Sequence, residues 1–379
     1  MNPDRIRVGI SGLPLGNRSG TGYYTEQLLR VLSELGRSRF DVSVLPINRS
    51  PGGQRVPLGG DRFSFSLRWP FHFFADRVME NGLRDLDLIH YPNGVGPPIL
   101  SKPLVTTLHD ISPFLCPETF PRRTAAYLRK VFFNVCQTAR IVLTDSHWQA
   151  ERILELWPDL NKKLRVVYPT LSPVYRSPIS RDPESAPSPI PYLLMVGTLE
   201  PRKQVDLAIR SWAESEISAN LVLVGRWGWK AKGIRQALER IGDPKEVDLD
   251  ETVWKLADGR SLCHLRNVPT GKLVDYYRNA LALVYPSRFE GFGLPILEAM
   301  TVGCPVLTRK GSAMEEIAGS AGWYFDGDSK EALASSMEAI VKKSDLRHGR
   351  AVAGRELAKN FSDQRFYEGI SSAYEAALG

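Results

Sequence analysis

The chain has 379 residues and a net charge of +7, with 43% hydrophobic and 24% charged residues, proportions typical of folded globular proteins. The positive charge favours anionic partners, but the cations form no long basic run, so nucleic acid is not an expected partner. No segment approaches the roughly 18–20 apolar residues of a membrane span, and no signal-peptide pattern is recognised. The four cysteines and six histidines lack metal-ligand spacing, so we expect no metal site and a cytoplasmic protein with reduced thiols.

The first half of the chain alternates short β-branched runs with segments of helical periodicity. Buried runs of this kind, separated by helices, predict a parallel sheet covered on both faces. We therefore predict a first Rossmann-like domain over residues 1–178. The strand-like runs are residues 8–10, 41–45, 86–90, 104–109, 141–144 and 164–168.

A stretch rich in proline and serine, residues 179–190, predicts a linker between two domains. A second series of strands, at residues 192–196, 221–224, 282–285 and 305–308, predicts a second domain over residues 191–362. Residues 363–379 predict an amphipathic helix that crosses back to the N-terminal domain. The sequence thus predicts an α/β protein with two doubly wound domains facing across a cleft, with ligands at the carboxyl ends of the strands.

The loop before the helix at Pro295 is the most informative segment. Gly291 and Gly293 allow the backbone to approach a ligand closely, and the following helix N-terminus favours an anion. Glu290 and Glu298 can both face that ligand, and carboxylates suit the hydroxyls of a sugar and a ribose. The alternative is that Glu298 only makes a local pair on its helix face.

The first loop of the second domain also has features of an anion-binding site. Gly197 permits a tight turn after the first strand, and Arg202 and Lys203 stand just before a helix. Two cations at a helix N-terminus are unfavourable unless an anion lies there, which predicts a diphosphate site. The alternative is a pair of solvated surface cations.

The first domain contributes a glycine-rich loop and a histidine at a strand end. Gly20, Thr21 and Gly22 open a helix, but no acidic residue follows at the spacing of a dinucleotide-binding fold, which disfavours a dehydrogenase. The loop could instead cover donor phosphates or contact an acceptor. His109 follows the strand at 104–108, and this position leaves a functional and a structural role equally open.

Together these motifs resemble glycosyltransferase family 4. Glu290 and Glu298, seven residues apart, resemble its paired-glutamate signature, and residues 196–203 resemble its diphosphate loop. The glycine-rich loop and residues 107–110 are similar to those of its bacterial mannosyltransferase-like members. The resemblance covers nearly the whole chain, and the motifs in this order are highly specific.

The resemblance implies a GT-B fold and a retaining transfer without a bound metal, cofactor or protein nucleophile. By analogy, Arg202 and Lys203 would neutralise the leaving diphosphate, Glu290 would hold the sugar and Glu298 the ribose. His109 would lie near the anomeric carbon, and the base would lie against residues 266–269. The expected catalytic residues are Glu290, His109, Arg202 and Lys203, and the expected donor-binding residues are Gly20, Thr21, Gly22, Gly197, Arg202, Lys203, Val268, Gly291, Phe292, Gly293, Leu294 and Glu298.

The sequence does not identify the donor or the acceptor. The similarity to mannosyltransferases favours mannose or a related sugar from a GDP-sugar. A UDP-sugar and a non-catalytic nucleotide-sugar binding protein are the alternatives. Gln204 stands where the family commonly has asparagine, which puts the identity of the base in doubt. An epimerase is also conceivable, whereas a phosphorylase would need pyridoxal phosphate, for which no lysine motif is found.

The expected acceptor is a glycan or a polyprenyl-linked sugar of surface polysaccharide or lipopolysaccharide assembly. Residues 61–74 are unusually aromatic, and residues 122–133 combine four cations with apolar residues at helical spacing. These features indicate peripheral docking on the anionic inner face of the cell membrane. The alternative is that the aromatic residues are core and the cations lie on a solvated face.

Overall fold

The computed structural model describes residues 5–16, 19–45, 83–97, 99, 101–177 and 190–379. The aromatic segment 61–74 and all of the predicted linker except Ile190 lie outside the described residues. The chain divides into two compact units, the first formed by Met1–Ile111, Ala126–Thr170 and Phe361–Gly379, and the second by Ser112–Ala125 and Leu171–Asn360.

Strands and helices alternate along most of the chain. The strands are β1 (Ile6–Ser11), β2 (Phe40–Leu45), β3 (Leu88–Tyr91), β4 (Leu104–Thr107), β5 (Ile141–Thr144), β6 (Leu164–Val166), β7 (Tyr192–Val196), β8 (Asn220–Val224), β9 (Lys245–Glu246), β10 (Glu251–Lys255), β11 (Ser261–Leu265), β12 (Ala282–Tyr285), β13 (Val306–Arg309) and β14 (Gly322–Phe325). The α-helices are α1 (Gly20–Glu34), α2 (Ser112–Leu115), α3 (Arg122–Thr138), α4 (His147–Leu156), α5 (Val205–Ala213), α6 (Lys232–Glu239), α7 (Thr270–Asn279), α8 (Leu294–Val302), α9 (Ala313–Ala318), α10 (Lys330–Lys342), α11 (Ser344–Ala358) and α12 (Asp363–Leu378). Single 3-10 turns occupy Pro117–Thr119, Pro158–Lys162, Pro173–Arg176, Pro201–Lys203 and Gly319–Ala321.

The first unit is built on a parallel sheet of six described strands in the order β2-β1-β3-β4-β5-β6. Strands β3, β4 and β5 are buried along their whole length, as expected for apolar runs covered on both faces. The C-terminal helix α12 belongs to this unit, where Phe366, Ile370 and Tyr374 join the same core as Val8 and Leu28 of the sheet and α1. The apolar stripe of α12 is therefore buried by the unit that begins the chain.

The second unit contains a sheet of eight described strands in the order β14-β13-β12-β7-β8-β11-β10-β9. The six strands from β14 to β11 in this order are parallel to one another. Strands β10 and β9 are added beside β11 and pair in antiparallel orientation. The predicted strand series omits β9, β10, β11 and β14. Strands β9, β10 and β11 contain polar residues, and β14 is only four residues long and begins with glycine. The two sheets confirm the predicted α/β class. Among the described residues, no helix is both long and apolar enough to cross a membrane.

A buried polar network links α12 to the sheet of the first unit. His90 on β3 bonds through Nδ1 to the Tyr374 hydroxyl and through Nε2 to Thr107 Oγ1, both at 2.8 Å. Thr107 also lies 3.2 Å from the Tyr24 hydroxyl. Burial, followed by the charge of His109, lowers the pKa of His90 to about 3, so its imidazole is neutral. Both ring nitrogens depend on these hydroxyl partners, because the residue is fully enclosed.

We predict that Tyr374→Phe destabilises the protein by about 1–3 kcal/mol, because it leaves His90 Nδ1 buried without a partner. Chemical denaturation followed by circular dichroism would measure the loss. Tyr367→Phe on the same helix is the matched control, since the Tyr367 hydroxyl has no hydrogen bond among the described residues. An equal effect of the two variants would contradict a role for the buried network.

Candidate active site

Four adjacent parallel strands bring the predicted donor-binding loops of the second unit to one sheet edge. Strands β12, β7, β8 and β11 are neighbours in that order and run in the same direction. Their carboxyl ends therefore open into four loops along this edge, at residues 286–293, 197–204, 225–231 and 266–269.

Gly197 begins the loop after β7 in a conformation that favours glycine. Its φ is +137°, and its amide donates to the carbonyl of Val224 at 2.9 Å. A Cβ added to Gly197 would lie 3.1 Å from the Lys203 side chain. The turn thus keeps the backbone close to Lys203, which follows in the 3-10 turn Pro201–Lys203.

A buried cluster of charges occupies this edge. Glu290 accepts from Lys203 Nζ at 2.7 Å through Oε1 and from an Arg202 guanidinium nitrogen at 2.9 Å through Oε2. Arg202 also donates to Glu200 at 2.8 Å and to the carbonyl of Phe289. The Tyr285 hydroxyl accepts from Lys203 at 2.9 Å. The structure therefore brings together three of the four predicted catalytic residues: Glu290, Arg202 and Lys203.

The pairing changes the electrostatic argument made from sequence. The sequence predicted that an external anion offsets the charges of Arg202 and Lys203 at a helix N-terminus, with solvated surface cations as the alternative. In the structure Arg202 is buried and Lys203 is half-buried, and Glu290 pairs with both while Glu200 pairs with Arg202. The two carboxylates balance the two cations. The sequence could not predict this, because Lys203 and Glu290 are 87 positions apart.

The cluster fixes the protonation of its members. Burial disfavours ionised Glu290, but the charges and hydrogen bonds of Arg202 and Lys203 outweigh burial and lower its pKa to about 2. Burial likewise acts to lower the pKa of Lys203, but the charge of Glu290 exceeds it and raises that pKa. Glu290 is consequently an ionised acceptor at neutral pH, with no proton to donate.

Glu298 forms its hydrogen bonds with residues outside this cluster. It is buried on α8 and accepts from the Tyr277 hydroxyl at 2.7 Å. Burial raises the pKa of Glu298, while hydrogen bonds from Tyr277 and Tyr175 act in the opposite direction. Both tyrosines lie on other elements, so Glu298 does not make the local pair on its own helix face that the sequence left as the alternative. Sequence reasoning did not identify Tyr175 or Tyr277, since tyrosines on these segments carry no motif signal.

The loop after β12 leads into α8 through a left-handed glycine. Gly293 has a φ of +96° and stands at the N-cap position, so that Leu294 is the first helical residue and Pro295 the second. Gly291 and Phe292 precede it, and the Phe292 side chain is buried. The predicted glycine-rich turn into a helix is therefore present and lies directly after Glu290.

Two further features lie along the same edge. Val268 is half-buried in the loop after β11, beside Asn267, which accepts from Arg226 at 3.0 Å. A small cavity next to Gly197 is lined by Lys203 and Ser287, among others. The Ser287 hydroxyl is buried without a hydrogen-bond partner in the described part of the chain. Within that part, no cluster of three His, Cys, Asp or Glu side chains could hold a metal ion.

The remaining predicted site residues lie in the first unit. Gly20, Thr21 and Gly22 form the first residues of α1, and Thr21 Oγ1 lies 2.9 Å from the Ser19 hydroxyl. One turn later, the ring of Tyr24 packs against His109 with centroids 4.4 Å apart. The structure thus associates the start of α1 with the histidine at the end of β4.

His109 itself is held at both ring nitrogens. Nδ1 lies 2.6 Å from Asp145 Oδ2, and Nε2 lies 2.6 Å from the carbonyl oxygen of Pro92. Burial acts to lower the pKa of His109, but the Asp145 charge and both hydrogen bonds raise it. Asp145 was not identified from the sequence, because it carries no motif of its own.

The comparisons with known proteins agree with these motifs. Residues 177–357 match the family described as Glycosyl transferases group 1, and residues 18–173 match Glycosyltransferase Family 4. The chain belongs to glycosyltransferase family 4. Over 385 aligned residues, this glycosyltransferase is 26% identical to O-antigen chain mannosyltransferase B of Escherichia coli, with 94% of the chain and 96% of the relative covered.

Solved structures confirm the fold of the glycosyltransferase. Sucrose-phosphate synthase from Thermosynechococcus elongatus superimposes with a TM-score of 0.73 at 19% identity, covering 98% of each chain. Alr3699/HepE of Anabaena, solved in complex with UDP and glucose, gives 0.65 at 17% identity, covering 98% of this chain and 100% of that one. The predicted GT-B fold, with two Rossmann-like units, is therefore confirmed.

The charge cluster predicts an unusual response to pyrophosphate. Glu290→Gln should lower the free energy of unfolding by about 3–5 kcal/mol, because it removes a buried carboxylate that pairs with both Arg202 and Lys203. Inorganic pyrophosphate should then raise the melting temperature of the variant more than that of the wild type, since Glu290 no longer competes for Arg202 and Lys203. Differential scanning fluorimetry measures both effects.

Glu338→Gln is the control. Glu338 pairs with the exposed Lys342, with 3.7 Å between the charged atoms, and such surface pairs contribute at most about 1 kcal/mol. A pyrophosphate response of Glu290→Gln no larger than that of the wild type would rule out competition between Glu290 and the anion.

Proposed function

We propose that the protein is a retaining, metal-independent hexosyltransferase that transfers mannose or a related sugar from a GDP-sugar to a glycan or lipid-linked acceptor. The pathway would be surface polysaccharide or lipopolysaccharide assembly. The observation that carries the proposal is the Arg202–Lys203 pair, held against Glu290 at the carboxyl edge of the second sheet. The choice of mannose is supported by the full-length similarity to an O-antigen mannosyltransferase.

The chemical role of the cluster follows from where negative charge develops. When the bond between the sugar and the diphosphate breaks, the diphosphate oxygens gain charge, and preorganised cations stabilise it. Arg202 is buried and the Lys203 side chain is only 13% exposed, so water screens their charges weakly. These two cations would supply the neutralisation for which other transferases recruit a divalent metal.

Glu290 has two successive roles in this scheme. In the structure it accepts from both cations and so keeps them in place. When the diphosphate takes over part of that pairing, the ionised carboxylate becomes available to accept hydrogen bonds from sugar hydroxyls. No protein nucleophile is assigned, and an oxygen of the donor phosphate would take the acceptor proton.

The identity of the nucleotide has one competing candidate. Alr3699/HepE, which shares the fold, was solved with UDP and glucose. Gln204 departs from the common family pattern, and this departure bears on the base. A UDP-sugar donor is therefore the second candidate, with the same roles for Arg202, Lys203 and Glu290.

A panel of nucleotide diphosphates and their sugars, assayed with EDTA present, tests the proposal. We expect GDP compounds to raise the melting temperature and a GDP-hexose to be turned over, whereas Glu290→Ala should abolish turnover in a folded protein. A response to UDP compounds only would favour the second candidate. No stabilisation by any nucleotide, or wild-type turnover by Glu290→Ala, would contradict the proposed site.

Helix α3 supports a membrane-facing acceptor side in this proposal. It buries Val131, Phe132 and Val135 but exposes Arg123 and Lys130, and the Phe133 side chain is 45% exposed. Cations beside an exposed aromatic ring suit the headgroup region of an anionic bilayer. Peripheral docking through this helix would bring the enzyme to a polyprenyl-linked acceptor.

Co-sedimentation with anionic vesicles at low salt checks the docking surface. We expect the wild type to bind and the double variant Arg123→Gln/Lys130→Gln to bind at least several-fold more weakly, because each cation near the surface contributes about 1 kcal/mol. Lys342→Gln/Lys359→Gln removes the same charge from exposed sites elsewhere. Equal loss in both double variants would indicate that net charge, and not α3, governs binding.

A further inference from the structure

The surroundings of His109 determine which of its nitrogens carry protons. The carbonyl oxygen of Pro92 can only accept a hydrogen bond, so Nε2, 2.6 Å away, must carry a hydrogen. The contact between Nδ1 and Asp145 at 2.6 Å requires a second proton between the two groups. A carboxylic acid is ordinarily a stronger acid than an imidazolium, so this proton resides on Nδ1.

The fold explains why these groups meet. Pro92, His109 and Asp145 follow strands β3, β4 and β5, which are consecutive neighbours in the parallel sheet of the first unit. Their positions are therefore set by rigid strand ends. The ring of Tyr24 packs against the imidazole at an interplanar angle of 69° and further restricts its orientation.

The buried carboxylate and the imidazole depend on each other for charge balance. Asp145 is 4% exposed, and its second oxygen, Oδ1, is buried without a hydrogen-bond partner among the described residues. Loss of the proton from His109 would leave this carboxylate buried and unpaired, which is costly. The other groups that act on His109 are Asp110, whose charge also favours the cation, and His90, which burial, followed by the charge of His109, keeps neutral.

We propose that Asp145 is a positioning residue that holds His109 as an imidazolium fixed to the Pro92 carbonyl. His109 then acts as a fixed cation and not as a proton acceptor during transfer. In this state neither ring nitrogen has a lone pair, so His109 cannot take the proton of an acceptor hydroxyl. The statement about transfer rests on the proposed function, whereas the charge state of His109 in the donor-free protein does not.

Nitrogen-15 NMR of the full-length protein, with the His109 signals assigned from His109→Gln, tests the charge state directly. We expect both ring nitrogens of His109 to be protonated at pH 7 and to titrate above the ordinary histidine range. Asp145→Asn should lower the titration midpoint by about one pH unit or more. The control is Asp159→Asn, an exposed carboxylate of the same unit that bonds Gln137, which should leave the midpoint unchanged.

The pH dependence of kcat supplies a second readout. Because the pKa of His109 is raised, the ion pair is complete below the ordinary histidine range and is lost as pH rises through the raised value. Wild-type kcat should therefore fall on the alkaline side, and Asp145→Asn should show the same fall at lower pH, with partial rescue by acidification. A merely structural defect would not recover on acidification.

Two outcomes would overturn the proposal. One is a wild-type His109 that is neutral at pH 7, which needs no variant and no turnover to detect. The other is a kcat that rises as His109 loses its proton, as a general base requires. A protein without transferase activity would instead contradict the proposed function and leave the NMR result standing.

Discussion

The parallel direction of neighbouring strands is the constraint on which both candidate site regions depend. In a parallel sheet the carboxyl ends of all strands lie at the same edge. The loops that follow neighbouring strands are therefore close together, even when their residues are distant in sequence. In the second unit this geometry brings the loop after β7 to the loop after β12, and with it Lys203 to Glu290. In the first unit it aligns Pro92, His109 and Asp145.

Part of this organisation could be predicted from the sequence because it is local. Buried β-branched runs predicted the described strands β3, β4 and β5, and Gly293 before Pro295 predicted the turn into α8. The paired glutamates and the Arg202–Lys203 pair identified the family. Each of these signals lies within one element or one loop, where periodicity, glycine conformation and capping act over a few residues.

The pairings between elements could not be predicted, because they depend on strand order. Asp145 lies 36 positions from His109, and nothing in its own segment marks it as the partner of a histidine. His90 and Tyr374 are 284 positions apart, and their contact requires that α12 packs on the first unit. Strand β11 was missed for a related reason, since its polar residues are accommodated only once it pairs with both β8 and β10.

The charge cluster is asymmetric, and the asymmetry bears on how a donor could enter. Arg202 has Glu200 and the Phe289 carbonyl as partners besides Glu290, so it remains anchored if Glu290 turns away. Within the described part of the chain, Lys203 forms an ion pair with one carboxylate, that of Glu290, and also donates to the Tyr285 hydroxyl. Its flexible stem and point charge can follow a moving anion, whereas the guanidinium of Arg202 is held in a fixed plane.

An arriving diphosphate would therefore exchange most readily with Glu290 at Lys203. Under the proposed function, the exchange would replace one anion by another, so that the cations keep a partner and the cost of an uncompensated charge is avoided. It would also release the carboxylate only when the diphosphate is present. Glu290 would then be able to accept from a sugar hydroxyl only when a diphosphate occupies the neighbouring phosphate site. Arg202 would stay in place while the two anions exchange.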